Sequence, residues 1–293
     1  MNGFLNVLKP PGMTSAAVVA NIRHLSGEKR VGHAGTLDPE ACGVLPVMLG
    51  RAARLFDYLV DKEKGYTAEV AFGQATDTQD ATGMVIAEGT DYPTRERIAA
   101  AALKLTGDVP QRPGMYSAIK LDGKPMYERA RRGQVIEVPE RIVHIDSITL
   151  GEALPEHGML LTVRCGRGTY IRSLCEDLGR LTGCPAHMRF LLRTKSGAFD
   201  LSSAVTMEEI IARAAEGRLS ECLLPMDMPL GHMHRVLVPE TFRKQVINGA
   251  KVPWTGDTEP GQVTRVYLAD GFWGIAENDG NQLVWRAQMP PDL

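Results

Sequence analysis

The 293-residue chain predicts an α+β fold, and two features of its segment pattern carry that prediction. Helix-like and strand-like segments alternate through the first 190 residues without the regular β-α-β period of a doubly wound sheet. Beyond residue 230 the pattern changes to short strands separated by Gly, Asp and Asn turns, as in a small β-barrel or sandwich. Hydrophobic content of 44% with 23% charged residues is the balance of a globular chain long enough for one large core, or a large and a small one. No apolar run approaches the roughly 18 to 20 residues of a membrane span, and "MNGFLNVLKPPG" lacks the apolar stretch of a signal peptide. A cytoplasmic protein is expected.

Taken in order, "TSAAVVANIRHLSG" predicts a helix: Thr14 or Ser15 can cap it, Val18, Val19, Ile22 and Leu25 form one stripe, and Gly27 can end it. The loop "RVGHAGTLDPEACGVLP" follows at 30–46. Next, "VMLGRAARLFDYLVDKEKG" places Leu49, Ala52, Ala53, Phe56, Leu59 and Val60 on one helical face, so the loop is expected between two packed helices. "YTAEVAFG" at 66–73 alternates like a strand, with "MVIAEG" as its expected hairpin partner after the turn-rich "QATDTQDATG". "TRERIAAAALKLTG" predicts a helix capped by Thr94 and stopped by Gly107. "RIVHIDSITLG" and "GMLLTVRCG" predict strands. "TYIRSLCEDLGRLTG" predicts a helix capped by Thr169, with Ile171, Leu174, Leu178 and Leu181 inward and Gly183 past its end. "LLPMDMPLGHMH" is expected to link to three tail segments of short strands, "VLVPETFRKQVINGAKVP", "QVTRVYLADGFWGIAENDG" and "NQLVWRAQ".

Net charge of −2 and a pI near 6.4 exclude a protein that coats nucleic acid by bulk electrostatics, so any such contact needs a local patch. One exists. Between Gln111 and Ile142 stand seven Lys/Arg (112, 120, 124, 129, 131, 132, 141) against four Asp/Glu, interleaved with Tyr116 and Tyr127. Cations suit phosphates and flat rings suit unstacked bases, although a solvated helix face with core tyrosines reads the same way. The five cysteines are odd in number and form no C-x-x-C pair, so neither a disulfide framework nor a zinc ribbon is expected. Asp77 and Asp80 lack the Gly and Glu of a calcium loop.

Asp38 is the candidate reactive group. It stands in "LDP" among three glycines and two prolines, with Glu40 as the other nearby carboxylate. An Asp before Pro is also a good structural turn, and His33 and Cys42 lie at no familiar metal-ligand spacing. The second anchor is "CGRGTYIRSL" at 165–174. Gly166 and Gly168 let the chain turn sharply into a helix whose N-terminus favours anions, and Arg172 adds a fixed cation in its first turn. Were the two to meet, Arg172 would hold Asp38 ionised and aim it. Tyr66 reads as core, with base stacking as the other possibility.

Four blocks, "LKPPGMTS" (8–15), "RVGHAGTLDPEACGVLPV" (30–47), "QRPGMYSAIKLDGKPMYERARRG" (111–133) and "GRGTYIRSLCEDLG" (166–179), resemble in order and spacing the TruB family of tRNA pseudouridine synthases, which isomerise uridine 55 in the T loop of tRNA. The resemblance implies a mixed-sheet catalytic domain over 1–230 with a basic RNA-binding insert at about 111–142, and a small PUA-like RNA-binding barrel at 233–293. It makes Asp38 the nucleophile that acts during cleavage of the bond between uracil and ribose. Tyr66 then packs against the target base, and Arg172 pairs with the aspartate. It places His33 beside the flipped-out nucleotide, with Lys120, Arg129, Arg131, Arg132 and Tyr170 on the RNA side. Lys9 and Pro10 match a motif near the pocket, Lys9 counted with the RNA-binding residues and read as structural support. Cys42, Glu40 and Gly114 depart from common family residues, which touches loop packing alone.

Such an enzyme is expected to use no cofactor and no metal, to act on the T-arm stem-loop of tRNA, and to be a monomer without an evident protein partner. Two rivals stay open on the residues. Asp38 with Glu40 could serve a retaining glycosidase, which needs two carboxyl groups about 5 to 5.5 Å apart. The insert and tail could also belong to a non-catalytic RNA-binding or RNA-folding protein.

Overall fold

Phe4, Leu5 and Val7 of the strand Gly3–Lys9 are fully buried, and they serve two different cores. Leu5 and Val7 join the core beneath the helices, while Phe4 joins a second one on the opposite face. The strand Cys42–Leu49 is apolar on both faces in the same way: Leu45, Val47 and Leu49 point to the first core, Val44 and Met48 to the second. The computed structural model in which these contacts are seen describes residues 1–59, 63–115 and 139–290, with backbone alone at 120–121 and 124–125.

That two-sided burial corrects the helix expected from Val47 onward. Residues 47–49 finish a strand, Gly50 turns the chain at φ 59°, and a 3-10 helix, Gly50–Tyr58, follows. The Asp38 loop therefore hangs between the strands Val31–His33 and Cys42–Leu49, which pair with Gly32 opposite Met48, and not between two helices.

Among the described residues ten strands form one sheet. Eight of them run Val205–Thr206, Gly3–Lys9, Cys42–Leu49, Ala186–Ser196, Lys64–Phe72, Gly158–Cys165, Arg141–Leu154, Gly107–Gln111; off that path Val31–His33 pairs with Cys42–Leu49 and Phe199–Asp200 with Ala186–Ser196. Pairing is antiparallel except where Gly3–Lys9 meets Val205–Thr206 and where Cys42–Leu49 meets Ala186–Ser196. The fold is thus a mixed-sheet α+β fold. Ala186–Ser196 is its seam: it joins the half carrying the Asp38 loop to the half carrying Tyr66. Gly43 sits on that seam opposite Arg193 at φ 109°, where a Cβ would run into the Arg193 backbone. Only glycine fits there.

The helices lie over one face. Ser15–Ser26 is capped by the Thr14 hydroxyl, which accepts from Ala17 N at 3.0 Å, and ends at Gly27, φ 64°. Arg95–Lys104 is capped by Thr94 and ends at Leu105; Gly107 instead begins a strand. Ile171–Thr182 ends at Gly183 as expected, but its N-cap is Tyr170; the Thr169 hydroxyl donates to Gly166 O at 3.2 Å and caps nothing. Val85–Glu88 pairs with Gln74–Thr76 rather than with the Tyr66 strand.

The tail forms a five-stranded sheet ordered His234–Leu237, Val263–Leu268, Gly271–Asn278, Gln282–Gln288, Val252–Pro253, consistent with a small PUA-like barrel. Where a strand was expected, Arg243–Ile247 is helical. The stretch 223–234 is no free linker. Leu224 exchanges both backbone hydrogen bonds with Phe4, and Leu230 is fully buried in the core that Ile275, Ala287 and Met289 share with Phe4 and Val44. Among the described residues no helix is long and apolar enough to cross a membrane.

Candidate active site

A cavity of about 410 Å³ opens where the seam strand separates the Asp38 loop from the strand Lys64–Phe72. Its lining brings together four of the residues singled out from sequence: Asp38, Tyr66, Tyr170 and Arg172. The volume lies within the range of small-molecule and nucleotide sites.

Arg172 sits in the first turn of Ile171–Thr182 with 6% of its side chain exposed, and it grips Asp38 with two nitrogens: Nε at 2.9 Å from Oδ2 and Nη2 at 3.4 Å from Oδ1. Its Nη1 donates to Thr78 O at 3.1 Å and lies 3.5 Å from Asp80 Oδ2. Asp80 is held in turn, its Oδ1 accepting from the hydroxyls of Thr78 and Thr82. A planar guanidinium fixed on both sides gives the Asp38 carboxylate one orientation.

Asp38 keeps 38% of its side-chain surface open, toward the cavity, so a ligand there can reach it. It nevertheless lies on a cavity floor where neighbours displace bulk water. Burial pushes its carboxyl above the usual carboxylate range; Arg172 opposes that, Asp80 adds to it and Lys9 opposes it. The guanidinium thus aims the group and favours its ionised form, as expected, while burial, not foreseen from the sequence, raises its basicity.

Two cations hold the loop by its backbone. Lys9 is fully buried, and its ammonium donates to the carbonyls of Pro10 (2.9 Å), Met13 (2.5 Å) and Pro39 (2.9 Å). All three N–H donors are used, so the RNA contact expected of Lys9 gives way to support of the loop. Burial lowers its pKa to about 8. From the other side Arg193, 1% exposed, donates to Val44 O (2.7 Å), Thr36 O (3.2 Å) and Gly35 O (3.1 Å). Between them the loop backbone is fixed on both sides of Asp38.

Tyr66 is cross-strand partner of Arg193 and almost wholly buried at the cavity wall; burial raises its phenol above the ordinary value, so it stays protonated at neutral pH. Tyr170 lies beneath the Arg141 guanidinium, 4.9 Å from ring centroid to Cζ, and its backbone is tied to the Gln111 amide by bonds of 2.8 and 3.0 Å. His33 does not line the cavity. It is half-buried in its strand, burial lowers its pKa, and among the described residues its buried Nδ1 has no hydrogen-bond partner. The side chains of Lys120, Arg129, Arg131 and Arg132 lie outside the described residues, as does most of the basic insert.

Residues 23–171 match the TruB family pseudouridylate synthase N-terminal domain, and residues 172–231 match the tRNA pseudouridylate synthase B C-terminal domain. A tRNA pseudouridine synthase B from Alkaliphilus oremlandii is 45% identical over 290 residues, covering 96% of each chain. The chain belongs to the TruB family. Its relative named tRNA pseudouridine synthase B in Bacillus subtilis is 41% identical over 259 residues, covering 85% of this chain and 83% of its own. A crystal structure of a Cbf5-Nop10-Gar1 complex superposes at TM-score 0.74 and 25% identity, over 99% of this chain and 87% of the matched one.

For this TruB-family chain the glycosidase rival loses its second carboxylate. Glu40 is exposed and does not line the cavity, and Asp80 is already held by two threonine hydroxyls and Arg172. Sequence reasoning missed Arg193 and Lys64, and it weighed Asp80 only as a calcium ligand, not as a partner of Arg172. A signal for Lys64 was present: it stands two residues before Tyr66, hence on the same face of one strand. Arg193 gave none, because its strand was not foreseen.

Proposed function

We propose that this chain isomerises uridine 55 to pseudouridine in the T loop of tRNA, with Asp38 as the nucleophile. The observation that carries the reading is the Asp38 carboxylate, aimed by Arg172 into a cavity walled by Tyr66. Pseudouridine formation breaks the N1–C1′ bond, turns the uracil in place and joins C5 to C1′, the proton from C5 ending on N1. Atoms balance without a further reagent, so one nucleophilic carboxylate with raised basicity suits the task. Arg172 orients that carboxylate, and Tyr66 supplies an aromatic ring at the cavity wall against which the base rests while it is detached. Everting a nucleotide costs a few kcal/mol, which aromatic stacking at roughly 1–3 kcal/mol per base and phosphate contacts offset.

In this reading residues 1–230 form the catalytic domain, the basic residues Lys120, Arg129, Arg131 and Arg132 of the insert hold the T-arm stem, and 233–293 form an RNA-binding PUA-like domain. Tyr170 flanks the everted nucleotide, His33, which lies outside the cavity, meets the neighbouring RNA, and the protein acts in the cytoplasm as a monomer. The test is incubation with unmodified tRNA transcript and mapping of pseudouridine by carbodiimide chemistry. Wild type should modify position 55 and Asp38→Asn should modify nothing while still binding the transcript. Turnover by the Asn variant, or release of free uracil, would overturn the assignment.

A further inference from the structure

Lys64 lines the same cavity as Asp38 and Tyr66, yet the reaction as written gives it no task. It opens the strand Lys64–Phe72, and the two-residue period puts it on the face that Tyr66 presents. Its ammonium donates to the hydroxyl of Ser196, its cross-strand partner, at 2.8 Å. Among the described residues no carboxylate pairs with it. The neighbouring Glu63 is engaged elsewhere, with Arg164 at 2.6 Å and Lys195 at 3.0 Å. Among the described residues the charged and titratable groups that act on Lys64 are Arg193, Arg167 and the Cys165 thiol, and Asp38, Tyr66 and Arg141 line the same cavity.

An ammonium on a cavity wall that the guanidiniums of Arg167 and Arg193 also line, with no counter-ion among the described residues, is unfavourable until an anion arrives. We infer that Lys64, with the Ser196 hydroxyl beside it and Arg167 on the adjoining loop, forms a subsite for the phosphate of the everted nucleotide. The inference rests on the proposed reaction for the source of that phosphate, and on the geometry for its chemistry. Burial and the two guanidiniums lower the Lys64 ammonium to about 8. A bound phosphate should reverse that, because an adjacent anion favours the protonated form. Lys64 would then be a binding residue whose charge is restored by the substrate it holds.

The probe is inorganic phosphate, titrated against sodium chloride at constant ionic strength into the full chain carrying ¹³C-labelled lysine. Saturating phosphate should raise the Lys64 titration midpoint by about one unit, roughly a tenfold preference for the protonated form. In stem-loop kinetics Lys64→Met should raise KM about tenfold with kcat within about twofold, abolish competitive inhibition by phosphate, and be rescued by Lys64→Arg. A midpoint unmoved by phosphate would overturn the subsite. So would a fall in kcat at unchanged KM, which would assign Lys64 to the bond-breaking chemistry. A midpoint that moves while tRNA goes unmodified supports the subsite and overturns only the reaction.

Discussion

Arg193→Met tests whether the Asp38 loop is held from the seam strand. The guanidinium serves three carbonyls, and their surroundings differ. Val44 is fully buried, so its orphaned carbonyl loses about 1–3 kcal/mol. Gly35 is half-buried and Thr36 exposed, so water can replace the lost donors there and each loss stays below about 1 kcal/mol. Removing a buried cation relieves part of its desolvation, which is what pushes the Arg193 pKa down. The net expectation is a destabilisation of about 2–4 kcal/mol. Urea denaturation of both proteins, with unchanged m-value, measures it. Because Thr36 is two residues from Asp38, kcat on tRNA should also fall by tenfold or more. A Met variant within about 0.5 kcal/mol of wild type and within twofold in kcat would refute the idea that Arg193 positions the loop.

Two further expectations concern Asp38. Its folded-state pKa is raised, so the folded chain binds that proton more tightly than the unfolded chain, and stability falls as pH rises from the ordinary value of 3.8 through the raised one. Asp38→Asn should therefore melt at a higher temperature than wild type at pH 7, with the gain vanishing below pH 4; equal or lower melting at pH 7 would show that the Arg172 pair outweighs burial. By the same shift, the acid limb of kcat should have its midpoint above 3.8, and a profile flat down to that value would remove the ionised carboxylate from the rate-limiting step.

Local signals were legible wherever one side chain or one face decides the outcome. Thr14 and Thr94 cap their helices, Gly27 and Gly183 end theirs, and the alternating pattern gave the strands Arg141–Leu154 and Gly158–Cys165. The meeting of Asp38 with Arg172 was also foreseen, with help from the family resemblance. Elements buried on two faces were not legible. "CGVLPVML" is apolar throughout, so its period carries no information, and helix and strand cannot be told apart. "AHMRFLLRTKS" is interrupted by two register shifts, between Met188 and Phe190 and between Arg193 and Lys195, which break the two-residue alternation. An inward-facing arginine further disguises it as surface. The residues that hold Asp38 in place were hidden for the same reason: their partners are backbone carbonyls brought close only by the sheet.

The tail gives the fold its sharpest remaining test. Read from sequence, residues 233–293 are a unit behind a linker, and removing them should weaken tRNA affinity more than turnover at saturation. The packing argues otherwise. Ile275 and Met289 are fully buried in a cluster with Phe4, Val44 and Leu230, so the first strand of the catalytic sheet and the tail share one core. Burial of two such side chains contributes about 3–6 kcal/mol, which truncation would forfeit while exposing Phe4 and Leu230. Met289→Ala alone, in the intact chain, should lower stability by about 2–5 kcal/mol. Thermal or urea unfolding without RNA reads this directly, so RNA affinity does not enter. Unfolding of the alanine variant indistinguishable from wild type would mean that the tail rests on the catalytic sheet without stabilising it, and would restore the picture of a detachable RNA-binding unit.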